Sequence, residues 1–163
     1  MKLKIGIDFD NTIVIYDKLF YELALDYKII PSSLDKSKTA VRNFLIEADL
    51  EDRFTDLQSE VYGKHILRAK PAEGIFSAIK SMISIGLDVS IISHKTKYPY
   101  AGKQYDLHAA ALSWLEQNKF LSNEGLSIPQ SKIFFEPTKE LKVARIKSEL
   151  CTHYVDDLSS ILD

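Results

Sequence analysis

Asp8 and Asp10 stand two residues apart in Asp8-Phe9-Asp10-Asn11-Thr12, and Asp156 and Asp157 stand side by side near the other end of the chain. If the fold brings the two pairs together, four carboxylates share one small volume. Their mutual repulsion then raises some of their pKa values unless a cation compensates. A hard cation with oxygen ligands meets that need. Mg²⁺ suits it because it uses one or two carboxylates, keeps several waters and takes substrate phosphate oxygens. A carboxylate held in such a site is also a nucleophile towards phosphorus, forming an aspartyl-phosphate. Phosphoryl transfer asks little more of a protein than in-line positioning and charge neutralisation. Ser93 offers a hydroxyl to a phosphoryl oxygen, and Lys142 or Lys139, one turn apart, offers an ammonium. A lone Asp-x-Asp reads equally well as a loop cap, and a lone lysine as a solvated helix face. A second acidic pair after another strand makes a chemical site the better reading.

The hydrophobic pattern supplies the elements that must position these groups. Four short apolar runs read as buried strands: residues 3–9, 87–92, 132–135 and 152–155. Between them the pattern turns helical. Leu19, Phe20, Leu23 and Tyr27 recur at helical spacing, as do Val41, Phe44, Leu45 and Ala48, and a third stretch carries Phe54, Leu57, Val61 and His65. Ser32 with Asp35 resembles a capping arrangement, and Thr138 is a candidate N-cap for a helix through Val143, Ile146 and Leu150. Strands alternating with helices predict an α/β fold with a parallel sheet. In such sheets ligands bind outside the carboxyl ends of the strands. Asp8, Asp10, Ser93, Asp156 and Asp157 fall at those ends.

Composition narrows the function classes. The 163 residues suit one domain, and 45% hydrophobic with 27% charged residues is ordinary globular usage. A net charge of −2 argues against nucleic acid or an anionic membrane as the main partner. Cys151 is the single cysteine, which excludes an intramolecular disulfide and a cysteine-cluster metal site. No apolar run approaches the ~18–20 residues that cross a bilayer, and Asp8 comes too early for a signal peptide, so a cytoplasmic location is expected. His65, His108 and His153 lack metal-ligand spacing. Trp114 lies on an apolar helical face and reads as core.

These motifs resemble the haloacid dehalogenase-like (HAD) superfamily. Asp8-Phe9-Asp10-Asn11-Thr12 is similar to its Asp-x-Asp-x-Thr motif, Ile91-Ile92-Ser93 to its second, Lys142-Val143-Ala144-Arg145-Ile146 to its third and Tyr154-Val155-Asp156-Asp157 to its fourth. The resemblance implies a Rossmann-like parallel sheet in the order 3-2-1-4 with helices on both faces. It also implies a small helical cap inserted over residues 16–68. Asp8 would be the nucleophile and a Mg²⁺ ligand. Asp10 would be general acid and then base, binding Mg²⁺ through its backbone carbonyl. Asn11 would offer its backbone N–H to phosphoryl oxygens and Thr12 would brace the loop. Ser93 and Lys142 would hold the phosphoryl group, and Asp156 and Asp157 would hold the metal. Members with Asp at the Asp10 position are typically phosphatases or other phosphotransferases. Halide leaving groups need no protonation, so Asp10 also speaks chemically against dehalogenation.

The expected substrate is a small-molecule phosphate ester, since small caps usually accompany such esters. His94 and Lys95, with Thr96, would meet it at the mouth of the site, and Lys97, Tyr98, Tyr100, Lys103 and Tyr105 extend a polar, aromatic loop behind them. Three other readings fit parts of the sequence: a non-catalytic or regulatory HAD-like domain of a larger biosynthetic protein, a nucleic-acid 3′-phosphatase and a receiver-like signalling domain. Ser93 after the middle strand speaks against the last. Only six residues follow Asp157, whereas the family's core normally continues to a fifth strand. A truncated core or a further C-terminal domain is therefore expected.

Overall fold

The computed structural model describes residues 2–162. Strands β1 (Lys4–Ile7), β4 (Asp88–His94), β5 (Ile133–Glu136) and β6 (His153–Val155) form a parallel sheet in the order β5-β4-β1-β6. Two further short strands, β2 (Val14–Ile15) and β3 (Lys70–Pro71), pair antiparallel as a separate ribbon. With that ribbon left out of the count, neighbours in the sheet run third, second, first, fourth. β4 is buried at five successive positions, Val89 to Ser93. Successive strand side chains point to opposite faces, so both faces of β4 are covered.

Among the described residues seven α-helices accompany the strands: α1 (Asp17–Asp26), α2 (Lys38–Glu47), α3 (Glu51–Tyr62), α4 (Ile75–Ser84), α5 (Leu107–Gln117), α6 (Lys139–Ser148) and the short α7 (Ser159–Leu162). α4 and α6 pack on β4, and α6 also on β5. Thr138 caps α6 as the sequence predicts, its hydroxyl accepting from the Leu141 N–H at 3.2 Å. The predicted capping role of Ser32 and Asp35 is corrected. Ser37 caps α2, accepting from the Ala40 N–H, while Ser32 gives its carbonyl to the Tyr21 hydroxyl.

Helices α1 to α3 pack on one another between β2 and β3, so this segment departs and returns through the two paired strands of the ribbon. Its aromatic residues join the main core. Phe20 stacks on Phe54, Tyr16 and Phe20 each meet the Tyr62 ring edge-to-face, and Phe9 after β1 meets Trp114 and Phe135 in the same way. Trp114 is fully buried, as predicted. No helix among the described residues is long and apolar enough to cross a membrane.

Candidate active site

Strand register brings the acidic pairs together. Ile7 pairs with Val155, and the Asp8 N–H continues the ladder by donating to the Val155 carbonyl at 2.9 Å. Asp8 and Asp156 are the next residues on two neighbouring parallel strands, so they emerge at the same edge. One carboxylate oxygen from each of Asp8, Asp156 and Asp157 lies within 4.8 Å of the others. Ile7 also pairs with Ile91, which carries Ser93 to the same edge.

Lys142, in the first turns of α6, closes this cluster. Its buried Nζ donates to Asp8 Oδ1 at 2.9 Å and to Asp156 Oδ2 at 2.6 Å, and it lies 5.5 Å from the Tyr154 ring centroid. Lys139 is exposed, so between the two candidates Lys142 is the lysine at the cluster. Burial pushes the Asp8 carboxyl up to about 6, against the opposing pull of Lys142. Asp157 is also raised, by desolvation and by its neighbour Asp156.

Three carboxylates facing one ammonium leave an uncompensated negative charge, and all the donors are hard oxygens. This set fits a divalent cation such as Mg²⁺. Ser93 Oγ and Thr12 Oγ1 are buried without a hydrogen-bond partner. The Ser93 hydroxyl is nonetheless near enough to Asp8 to favour its ionised form. Buried hydroxyls are normally satisfied, so an orphan beside the cluster fits a missing acceptor such as a phosphoryl oxygen.

Asp10 sits apart from the three-carboxylate cluster. Its Oδ1 accepts from the Tyr16 hydroxyl at 2.5 Å, and its Oδ2 is 3.0 Å from Lys95 Nζ. Lys95, expected to meet substrate, is buried in the wall of the cavity beside Asp10, and its ammonium is paired with Asp10. His108 braces it, Nε2 donating to the Lys95 carbonyl at 2.7 Å. A second correction concerns Asn11. Its backbone N–H, expected to face phosphoryl oxygens, donates to the Val14 carbonyl at 2.8 Å and closes the loop. Asn11 holds φ at +60°, a left-handed conformation that asparagine tolerates better than most residues. A third concerns Thr12, which braces nothing through its hydroxyl. His94 is exposed, its Nε2 donating to the Pro137 carbonyl.

Beside Asp10 lies a cavity of about 380 Å³ walled by Asp10 itself, Lys38, Tyr62, His94, Lys95 and Thr96. Lys38 and Tyr62 come from α2 and α3. Neither they nor Tyr16 and His108 carry a distinguishing signal in the sequence. Lys38 is one lysine in a charged, loop-like run, and Tyr16 and Tyr62 read as ordinary helix-flanking aromatics.

No family model matches the chain, and no curated protein does. Among solved structures, a HAD-superfamily hydrolase from Ehrlichia chaffeensis is similar in fold, with a TM-score of 0.51 at 12% identity over 99% of this chain and 82% of that one. A haloacid dehalogenase-like family hydrolase from Xanthomonas campestris aligns with a TM-score of 0.45 at 12% identity, over 91% of this chain and 69% of that one. The chain has a HAD-like fold.

Proposed function

We propose that this HAD-like chain is a Mg²⁺-dependent phosphohydrolase acting on a small phosphate ester through an aspartyl-phosphate. The observation that carries the reading is the convergence of Asp8, Asp156 and Asp157 on one edge of the sheet, with Lys142 bonded to two of them. Mg²⁺ held by those three carboxylates, with the Asp10 backbone carbonyl, would supply neutralisation of the phosphoryl oxygens.

The chain's own groups do the rest. An Asp8 carboxylate oxygen attacks phosphorus, and the bond from phosphorus to the ester oxygen breaks. Lys142 and the free Ser93 hydroxyl hold phosphoryl oxygens. Asp10, in its protonated form, gives its proton to the departing alkoxide, so the alcohol leaves neutral. Asp10 then takes a proton from water as that water attacks the aspartyl-phosphate, releasing phosphate and restoring Asp8. Tyr16 and Lys95 fix the orientation of the Asp10 carboxyl, and one of them must yield an oxygen when it acts. Helices α1 to α3 serve as a small cap whose Lys38 and Tyr62 wall the cavity beside Asp10. The substrate is a small molecule; a net charge of −2 supports neither nucleic acid nor membrane as partner.

The test is phosphate release from a panel of phosphate monoesters, with Mg²⁺ and with chelator, by the wild-type chain and by Asp8→Asn. Release that needs Mg²⁺ and is lost at least 10³-fold in Asp8→Asn is the expected result. Equal release by Asp8→Asn, or none from any ester, would overturn the reading. A second reading, a binding domain without turnover, is favoured by one observation: both Asp10 oxygens are already occupied. It expects the esters to bind without phosphate release.

A further inference from the structure

Lys38 stands out in the cavity beside Asp10. The wall carries two lysines, Lys38 and Lys95, and one carboxylate, Asp10. Lys95 is consumed by Asp10 at 3.0 Å. Among the described residues, Lys38 Nζ has no carboxylate within 4.0 Å, and it donates one hydrogen bond, to the Tyr62 hydroxyl at 2.7 Å. An ammonium carries three donors, so donors remain for a ligand.

The position of this ammonium is fixed in advance. The Lys38 backbone N–H donates to Asp17 Oδ1 at 2.8 Å, tying the start of α2 to the start of α1. Its Nζ lies 5.3 Å from the Phe20 ring centroid and 5.4 Å from that of Tyr62. Desolvation lowers the Lys38 pKa from its ordinary value, outweighing the pull of Asp10, Asp17 and Asp157, so a further anion against the ammonium would favour its charged form. A long, flexible side chain held this way loses little further entropy on binding.

The location identifies what the charge reads. Asp10 is the group that, in the proposed reaction, delivers a proton to the leaving oxygen. A cavity walled by Asp10 therefore receives the alcohol half of the ester, while Asp8, Ser93 and Lys142 deal with the phosphoryl half. We propose that Lys38 selects phosphate monoesters whose alcohol half carries a second anionic group, a carboxylate or another phosphate. This rests on the phosphohydrolase reading and narrows its substrate class.

Matched pairs test it. Glycerol 3-phosphate and 3-phosphoglycerate differ by a carboxylate, and glucose 6-phosphate and glucose 1,6-bisphosphate by a phosphate. kcat/KM is measured for each with Mg²⁺, in the wild-type chain, Lys38→Met, Lys38→Gln and Lys38→Arg. Binding of the same four compounds is measured by calorimetry in Asp8→Asn with and without Lys38→Met. The wild-type chain should favour the more anionic member of at least one pair by tenfold or more. Lys38→Met and Lys38→Gln should remove that preference chiefly through KM, and Lys38→Arg should keep most of it. The pair that responds says whether the second anion is a carboxylate or a phosphate. Equal handling of both members in both pairs, or losses on Lys38→Met that are equal within a pair, would overturn the proposal and leave the phosphohydrolase reading standing. Conversely, absence of turnover with a tenfold, Lys38-dependent binding preference would overturn that reading and uphold the second-anion site.

Discussion

Asp8 is a carboxyl that folding takes out of water and that the proposed reaction needs as an anion. Its pKa rises from 3.8 to about 6, burial outweighing the help of Lys142. The sign of the linkage follows. Between about pH 4 and 6 the folded chain holds a proton that the unfolded chain has lost, so the contribution of Asp8 to stability falls as pH rises through that window. Above about 6 both states are ionised and the penalty is constant, at most about 3 kcal/mol. In chelator, urea unfolding of the wild-type chain should therefore lose stability relative to Asp8→Asn as pH rises from 4 to 6.5, and the difference should level off beyond. A difference that stays flat across the range would mean that Asp8 ionises as freely folded as unfolded. Mg²⁺ at neutral pH should stabilise the wild-type chain, since a ligand of the folded state adds stability with its concentration.

At the scale of elements, β1 and β6 deliver their carboxylates as paired parallel strands, and Gly6 leaves room for the side chains packed against it from β6 and the turn before it. It pairs with Tyr154, and a Cβ at Gly6 would lie 2.7 Å from a Tyr154 ring carbon and 3.1 Å from the Cys151 sulfur. Tyr154 is itself anchored, its hydroxyl donating to the Ile92 carbonyl at 2.6 Å, and its ring backs Lys142. Gly6→Ala should cost about 1–3 kcal/mol of stability through overpacking, and it should lower kcat by shifting Lys142. If the ring is the obstacle, Gly6→Ala in a Tyr154→Val background should cost far less than in the wild type. Simple additivity of the two losses in urea melts would put the strain elsewhere. The four strands of the sheet were legible because each is an apolar run stopped by a polar residue, and the stops of three of them, Asp8, Ser93 and Asp156, meet at the candidate site, while the fourth, Glu136, pairs with Arg145. The β2–β3 ribbon was not, since two-residue strands have no period to detect. Ser37, and not Ser32, caps α2 because both are serines in one polar run and only tertiary packing chooses between them. The place of Lys95 after Ser93 puts it near the site, but only the end of β4 at His94 shows that its ammonium turns to Asp10. Lys38 needed two helices brought against the sheet before its charge had any meaning.

For the whole molecule, the question is whether the inserted helices and the sheet fold as one unit. Their buried residues form one contiguous core, in which Tyr16, Phe20 and Phe54 of the insertion are continuous with Ile7, Ile91 and Trp114 of the sheet layers. Trp114 stands at the junction. Its indole Nε1 donates to the Ala69 carbonyl at 2.9 Å, where the chain returns from the insertion into β3, and α3 packs on α5 beside it. It is also the only tryptophan, so its fluorescence reports on this seam alone. A shared core joined by a buried hydrogen bond predicts one cooperative transition, with Trp114 fluorescence and far-ultraviolet circular dichroism following the same urea curve. Trp114→Phe removes the donor and leaves the Ala69 carbonyl buried without its partner, at a cost of about 1–3 kcal/mol. That loss should move the whole circular dichroism transition to lower urea without splitting it, because no part of the core can release without the rest. Two transitions, with helical signal lost while tryptophan fluorescence is still native, would show instead that the insertion melts on its own, with Asp10 and Lys38 able to separate before the sheet unfolds.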